Sequence, residues 1–195
     1  AFTLGLSVLV TRLGADSIAV FGIITTLISA VTLPIYAYSN AAMTLISKSN
    51  GAKSLDKLSR LPSLILKQLL SIVIPISLIV FNGKYLLPMV ITTNEALVYA
   101  TSTVIGFAIT IQFFNAFNQV YRYMLNALED EQWVLYFSTA TSILSLVLIF
   151  LLLILTDAKL IGVYIGLGFN YTMNTIGFSL RYRYLLQSIT YSSAA

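Results

Sequence analysis

The chain has 195 residues, of which 58% are hydrophobic and 9% are charged, and its formal net charge is +4. An ordinary soluble domain carries about 25% charged residues, so this composition predicts an integral membrane protein. Cysteine and histidine are both absent, which excludes disulfide bonds, zinc sites of the usual kinds, Ser-His triads and imidazole proton relays. The modest positive charge fits a membrane surface better than a nucleic-acid-binding stripe, so we expect no nucleic-acid partner.

The apolar segments predict an all-α membrane fold with six spans, the first of them truncated. A helix needs about 20 mostly apolar residues to cross the hydrocarbon core. Residues 1–13 are apolar but too few, so we interpret them as the end of a helix and the chain as part of a longer polypeptide. Five full-length spans follow, at 18–47, 62–81, 97–125, 133–155 and 160–180. We expect the six-helix unit to extend to residue 191, and residues 192–195 to form a tail without regular structure.

The basic residues between the spans predict an orientation. Four of them lie in the second connection, between Lys48 and Arg60, and Arg181 and Arg183 follow the last span. The positive-inside rule then places the second and fourth connections and the C-terminus in the cytoplasm of a cell whose plasma membrane holds the protein. The third connection is half apolar, and we expect its Tyr85–Ile91 stretch to lie in the outer interface.

Polar side chains inside three spans fall on single helical faces. Spacings of three and four residues align them on the fourth span, and pairs one turn apart occur on the second and sixth. Because polar groups are costly against lipid, we interpret these faces as walls of a substrate cavity, with an arginine at its cytoplasmic mouth. Two alternatives are amides that only join neighbouring helices and an arginine that extends to anionic headgroups. The residues are Tyr36 and Asn40 on the second span, Gln112, Asn115, Gln119 and the arginine, Arg122, on the fourth, and Asn170, Tyr171 and Asn174 on the sixth.

No carboxylate lies deep in any predicted span. Asp16 and Glu95 fall at outer ends, residues 129–131 at an inner end, and Asp157 in a loop. The sequence therefore contains no evident intramembrane proton or sodium site. It also lacks a grouping of nucleophile, base and orienting residue, so we predict no catalytic residues, no metal site and no cofactor.

Four segments, in their order and spacing, resemble the C-terminal half of a multidrug and toxic compound extrusion (MATE) transporter. They are "LGADSIAVFGI" at 13–23, "SKSNGAKSLDKLSR" at 47–60, "ITTNEALVYAT" at 91–101 and "FNAFNQVYRYMLNALED" at 114–130. The superfamily also contains flippases for polysaccharides and lipid-linked oligosaccharides. The resemblance extends over nearly all of the chain.

The resemblance implies a transporter of twelve helices in two lobes, with this chain as the C-terminal lobe of six. A cavity between the lobes would open alternately to either side, and entry of protons or sodium ions would drive export. In many members the fourth span of this lobe carries an acidic residue for the cation, and the alignment puts Asn115 in its place. An asparagine can offer its carbonyl oxygen to a cation but cannot titrate, so the acid is expected in the N-terminal lobe.

The favoured prediction is a secondary-active antiporter that exports amphipathic or cationic organic compounds, with the N-terminal lobe of the same polypeptide and the lipid bilayer as its partners. Tyrosines near the polar faces would offer aromatic surfaces to such cations. One alternative is a flippase for a lipid-linked saccharide, which should have a basic cavity. Another is a membrane scaffold subunit that does not transport, whose polar faces would be filled by partner helices. A half that pairs with itself would also build two lobes.

Overall fold

The computed structural model describes residues 2–194, and the side chains of these residues other than 55 and 190–194. Within this range the chain is helical, with seven helices joined by short turns. The helices are α1 Phe2–Thr11, α2 Ala15–Gly51, α3 Leu55–Asn82, α4 Leu86–Ile91, α5 Glu95–Ala127, α6 Glu131–Leu155 and α7 Lys159–Ala194.

Each turn has a local cause. Gly14 has a φ of 93°, a conformation that favours glycine, and it separates α1 from α2. Asn94 caps α5 by accepting a hydrogen bond from the backbone N–H of Ala96 at 3.0 Å. At the other end of α5, Glu129 has a φ of 64°, and the N–H of Asp130 returns to the carbonyl of Leu125 at 3.2 Å. That reversal ends α5 and starts α6.

Helix α5 lies at the centre of the bundle. It packs most extensively against α2 on one side and α7 on the other; α3 covers α2, and α6 covers α7. Its buried positions include Ile105, Ala108, Met124 and Leu125. At one end of the bundle, the hydroxyl of Tyr182 on α7 donates to the carbonyl of Leu58 on α3 at 2.7 Å. The polar face of α5 is therefore enclosed by its neighbours.

Four helices of the described residues are long and apolar enough to cross a membrane: α2, α3 from Asp56, α5 and α6. The protein is thus an integral membrane protein by these helices. The predicted span at 160–180 lies within α7, which is not among the four, because two asparagines and four glycines lower its hydropathy. The number of six spans stays a prediction.

The helices extend beyond the predicted spans at most of their ends. Hydrophobic length measures the hydrocarbon core, whereas backbone hydrogen bonds continue into the polar ends. The prediction that residues 192–195 form a tail without regular structure is wrong for residues 192–194, because α7 continues to Ala194. Residue 195 lies outside the described residues. Serine and alanine do not interrupt a helix that is already formed.

Candidate functional site

Two adjoining cavities lie on the side of α5 that faces α1. The first, of about 500 Å³, is bounded by α1, α5, α6 and α7, and the second, of about 360 Å³, by α1, α2, α5 and α7. Both are lined by Phe2, Thr3 and Tyr171, so they are neighbouring parts of one polar recess. We call this recess the amide cavity.

Eight of the nine predicted site residues line the amide cavity. Three helices that are distant in sequence bring them together, since α2 and α7 flank α5. The residues are Gln119, Arg122, Asn170 and Asn174 in the first part, Tyr36, Gln112 and Asn115 in the second, and Tyr171 in both.

Asn40 is the residue that does not line the amide cavity. Its side chain is exposed, and its Nδ2 donates to the carbonyl of Tyr36, one turn earlier, at 3.1 Å. The one-turn spacing placed Asn40 on the correct face of α2, but the recess ends at Tyr36.

A chain of hydrogen bonds orients the amides on α7. The hydroxyl of Thr141 on α6 donates to Oδ1 of Asn174 at 2.7 Å, which leaves the amide nitrogen of Asn174 to donate to Oδ1 of Asn170 at 3.1 Å. The Nδ2 of Asn170 is buried and has no hydrogen-bond partner in the described part of the chain. It is therefore a free donor at the wall of the cavity.

The amides on α5 present free acceptors. Nδ2 of Asn115 donates to Oε1 of Gln112 at 2.9 Å, and this fixes the orientation of both amides. Oδ1 of Asn115, Oδ1 of Asn118 and Oε1 of Gln119 are buried and unpaired among the residues described. A buried unpaired polar atom costs about 1–3 kcal/mol, so a side-chain rotation that pairs these oxygens with a polar group in the recess would be favourable.

The α2 side of the amide cavity is a row of hydroxyl groups, of which the sequence predicted only Tyr36. Thr25, Ser29, Thr32 and Tyr36 follow one another at spacings of three or four residues, and we call them the α2 stripe. The first three donate to carbonyls of their own helix at 2.6–3.1 Å, so their oxygens keep lone pairs for a guest. Their helical spacing was the signal in the sequence.

The charge at the cavity is low. Among the described residues that line it, Arg122 is the one with a formal charge, and its side chain is exposed. No group of three or more acidic, histidine or cysteine residues that could hold a metal ion occurs in the range described. Apart from Arg122, the described residues that line the amide cavity offer hydrogen-bonding groups and aromatic rings without formal charge.

An ion pair lies beyond the cavity, between the α5–α6 turn and α7. Nε of Arg181 donates to one carboxylate oxygen of Asp130 at 2.6 Å, and a second guanidinium nitrogen donates to the other at 3.2 Å. The hydrogen bond with Asp130 raises the pKa of Arg181 above its ordinary value. No pattern in the sequence predicts this pair, because the two residues are 51 positions apart.

Comparison with known proteins gives one match. The family model described as MatE matches residues 2–151, which include α1 to α5 and most of α6. No curated protein and no solved structure matches the chain. The match contains the α2 stripe and the amides of α5, whereas the asparagines of α7 lie outside it.

Proposed function

The chain belongs to the MatE family, whose members are membrane transporters, and on that premise we propose that it is one lobe of a secondary-active antiporter. In this proposal the lobe exports amphipathic or cationic organic compounds as protons or sodium ions enter. A second lobe completes the pathway, and the two lobes open alternately to the two sides of the membrane.

The observation that carries the proposal is the amide cavity inside a membrane-embedded bundle, in which Arg122 is the one formally charged residue among the described residues of its lining. Three amide oxygens on residues that line it are buried without a partner in the described residues, and in the proposed mechanism a rotation of these side chains turns them toward ammonium or hydroxyl groups of a guest. Tyr36, Tyr164 and Tyr171 lie at the same recess and add aromatic faces, which attract organic cations. A recess with so few fixed charges accepts guests of many shapes, because it imposes few electrostatic requirements.

The α2 stripe supports the same reading. Thr25, Ser29 and Tyr36 are exposed in this chain, although hydroxyl groups gain little from facing lipid. They suit a surface that meets water and a second lobe. A guest could then pass along α2 with hydrogen-bond acceptors at every turn.

Coupling to the ion is assigned to the other lobe. No carboxylate lines the amide cavity among the residues described, and Asn115 cannot release a proton. In the proposed mechanism this lobe binds the guest, and an acidic residue elsewhere binds the ion.

The test is efflux of a lipophilic cationic dye from proteoliposomes that contain the intact protein, with a proton gradient and a sodium gradient imposed separately. Efflux that follows one gradient supports the antiporter and identifies its ion. Absence of efflux under both gradients, with folded protein verified in the liposomes, contradicts it. The alternative to test next would then be a flippase for phosphate-bearing lipid-linked saccharides, because Arg122 is the one charged group at the cavity among the described residues.

A further inference from the structure

A groove lies along the N-terminal half of α5, and Tyr164 lines both this groove and the amide cavity. It has a volume of about 490 Å³ and runs between α3, α5 and α7, with Phe81, Phe107 and Ile165 among its apolar walls. Along α5 it extends from Ser102 to Ile111, a distance of about 14 Å at the helical rise. One leaflet of the hydrocarbon core measures about 15 Å, so the groove has the length of an acyl chain in one leaflet.

Two glycines give the groove its depth. A Cβ at Gly106 would lie 3.3 Å from the ring of Phe81, and one at Gly168 would lie 3.4 Å from Cγ1 of Ile111. Any larger side chain at Gly106 would therefore project into the space beside Phe81. The floor of the groove is backbone at these two positions, and a flexible chain can lie against it.

Lys84 stands at the mouth of the groove. Its ammonium lies 5.6 Å from the ring centre of Phe81 and 5.2 Å from that of Tyr85, so two aromatic rings hold it in place. The side chain is half-buried, and no ion pair of Lys84 occurs in the described residues. A half-buried cation without an anionic side chain beside it is complementary to an anion from outside the chain.

The segment after Lys84 marks the level of the lipid headgroups. Helix α4 presents Leu86, Met89 and Val90 to the outside at 55–85% exposure, while Pro88 is buried. An exposed apolar helix of six residues, preceded by a tyrosine, suits the boundary between headgroups and acyl chains. Lys84 therefore lies where lipid phosphates lie.

We propose that the groove binds an anionic phospholipid, with its phosphate at Lys84 and one acyl chain between α3, α5 and α7. The groove has the length of an acyl chain and a backbone floor that a flexible chain can contact. Lys84 supplies a positive charge for the phosphate, at the level of the exposed apolar helix α4. The bound lipid would lie along the N-terminal half of α5, next to the recess that is proposed for transport. The inference does not depend on what the protein transports.

The test is photo-crosslinking in phosphatidylcholine liposomes that contain the intact protein. Phosphatidylglycerol or phosphatidylcholine with a diazirine on one acyl chain is added in trace amounts, and labelled peptides are identified by mass spectrometry. We expect phosphatidylglycerol to label peptides containing residues 102–111 about fivefold more than phosphatidylcholine does. Lys84→Gln should remove this preference, and Gly106→Leu should lower labelling by both lipids.

Two matched variants serve as controls. Lys159→Gln removes an exposed lysine that does not line the groove, and Gly22→Leu adds a side chain where a Cβ meets no atom within 4 Å. Both should label as the wild type does. Equal labelling by the two lipids, or a preference unchanged in Lys84→Gln, would overturn the proposal. So would the absence of label from the groove peptides of the wild type. Lys84→Gln changes a side chain outside the core, so the test stands even if Gly106→Leu does not fold.

Discussion

Asn115 lines the amide cavity, and it also stands at the position where the resemblance predicts an acidic residue. It is 2% exposed, its nitrogen is paired with Gln112, and its oxygen is free. We expect Asn115→Leu to reduce dye efflux by about tenfold, because one hydrogen bond to a charged guest is worth about 1.5 kcal/mol. Initial efflux rates from proteoliposomes with equal amounts of inserted protein measure the effect.

Asn82→Leu is the matched control for this substitution. Asn82 is exposed at the end of α3, and its side chain bonds only to the carbonyl of Leu78 among the contacts described. Its efflux should equal that of the wild type. If Asn115→Leu also transports normally, the amide cavity does not bind the guest.

Single residues show how much of the site could be predicted from sequence. Spacings of three and four placed Gln112, Asn115 and Gln119 on one face, and the structure finds all three at one recess. The contact between Thr141 and Asn174 was not predictable, because it depends on the axial register of α6 against α7. Helical periodicity gives a face, but not the partner that the face meets.

At the level of elements, α6 and α7 approach closely at Gly166. A Cβ built there would lie 2.1 Å from Cγ1 of Ile149, and the hydroxyl of Ser145 donates to the carbonyl of Gly166 at 2.6 Å. We expect Gly166→Ala to lower the melting temperature in detergent, because the helices must separate. The double variant Gly166→Ala with Ile149→Ala should recover part of the loss, since the second change removes the clashing atoms.

Gly22→Ala provides the comparison, because a Cβ at Gly22 meets no atom within 4 Å. Its melting temperature should stay the same or rise, as alanine favours the helix by up to about 1 kcal/mol over glycine. Equal losses at Gly22 and Gly166 would mean that close packing of α6 and α7 is not the cause.

The ion pair of Arg181 and Asp130 joins the α5–α6 turn to α7. Their side chains are 29% and 16% exposed, and Arg181 also lies 5.5 Å from the ring centre of Trp133. Arg181→Gln should destabilise the fold by about 1–3 kcal/mol, since it leaves the Asp130 carboxylate half-buried and without its charged partner. Thermal unfolding monitored by the fluorescence of Trp133 measures this.

The exposed pair of Arg60 and Asp56 is the control, with side chains 74% and 73% exposed. Arg60→Gln should change stability by less than about 0.5 kcal/mol, because solvent screens that pair. A double variant, Arg181→Gln with Asp130→Asn, should be more stable than Arg181→Gln alone. If it is not, the two charges are not coupled.

The helices themselves were largely predictable, and their ends were not. Each of the five full-length predicted spans lies within one helix, because long apolar segments in lipid have to form backbone hydrogen bonds internally. The reversal at Glu129 and the helical residues after 180 carry no apolar signal. The short helix α4 coincides with the stretch expected at the interface, where Tyr85 and Leu86 are exposed.

For the whole molecule, the position of the α2 stripe predicts where water enters. The chain has no cysteine, so a single introduced thiol can be labelled without background from these 195 residues. A water-soluble maleimide should label Ser29→Cys in membranes and should not label Ser71→Cys, because the reactive thiolate forms in water. Both serines are exposed in this chain, on α2 and α3 respectively, but we assign only Ser29 to a wet surface.

Labelling at both positions, or at neither, would contradict this division into wet and lipid-facing sides. A guest in excess should slow the reaction at Ser29→Cys, which connects the accessibility to the proposed pathway. Protein yield and membrane insertion of the two variants should be equal.

The central position of α5 has a mechanical consequence. Five helices contact it, α2, α3, α4, α6 and α7, so it cannot turn about its axis without repacking all of them. In the proposed transport cycle the bundle would therefore move as a rigid body, and α5, with 33 residues, is about 50 Å long. A small tilt about one end of α5 would displace the other end over a larger distance, so the proposed pathway would open at its rim while the walls of the amide cavity keep their shape.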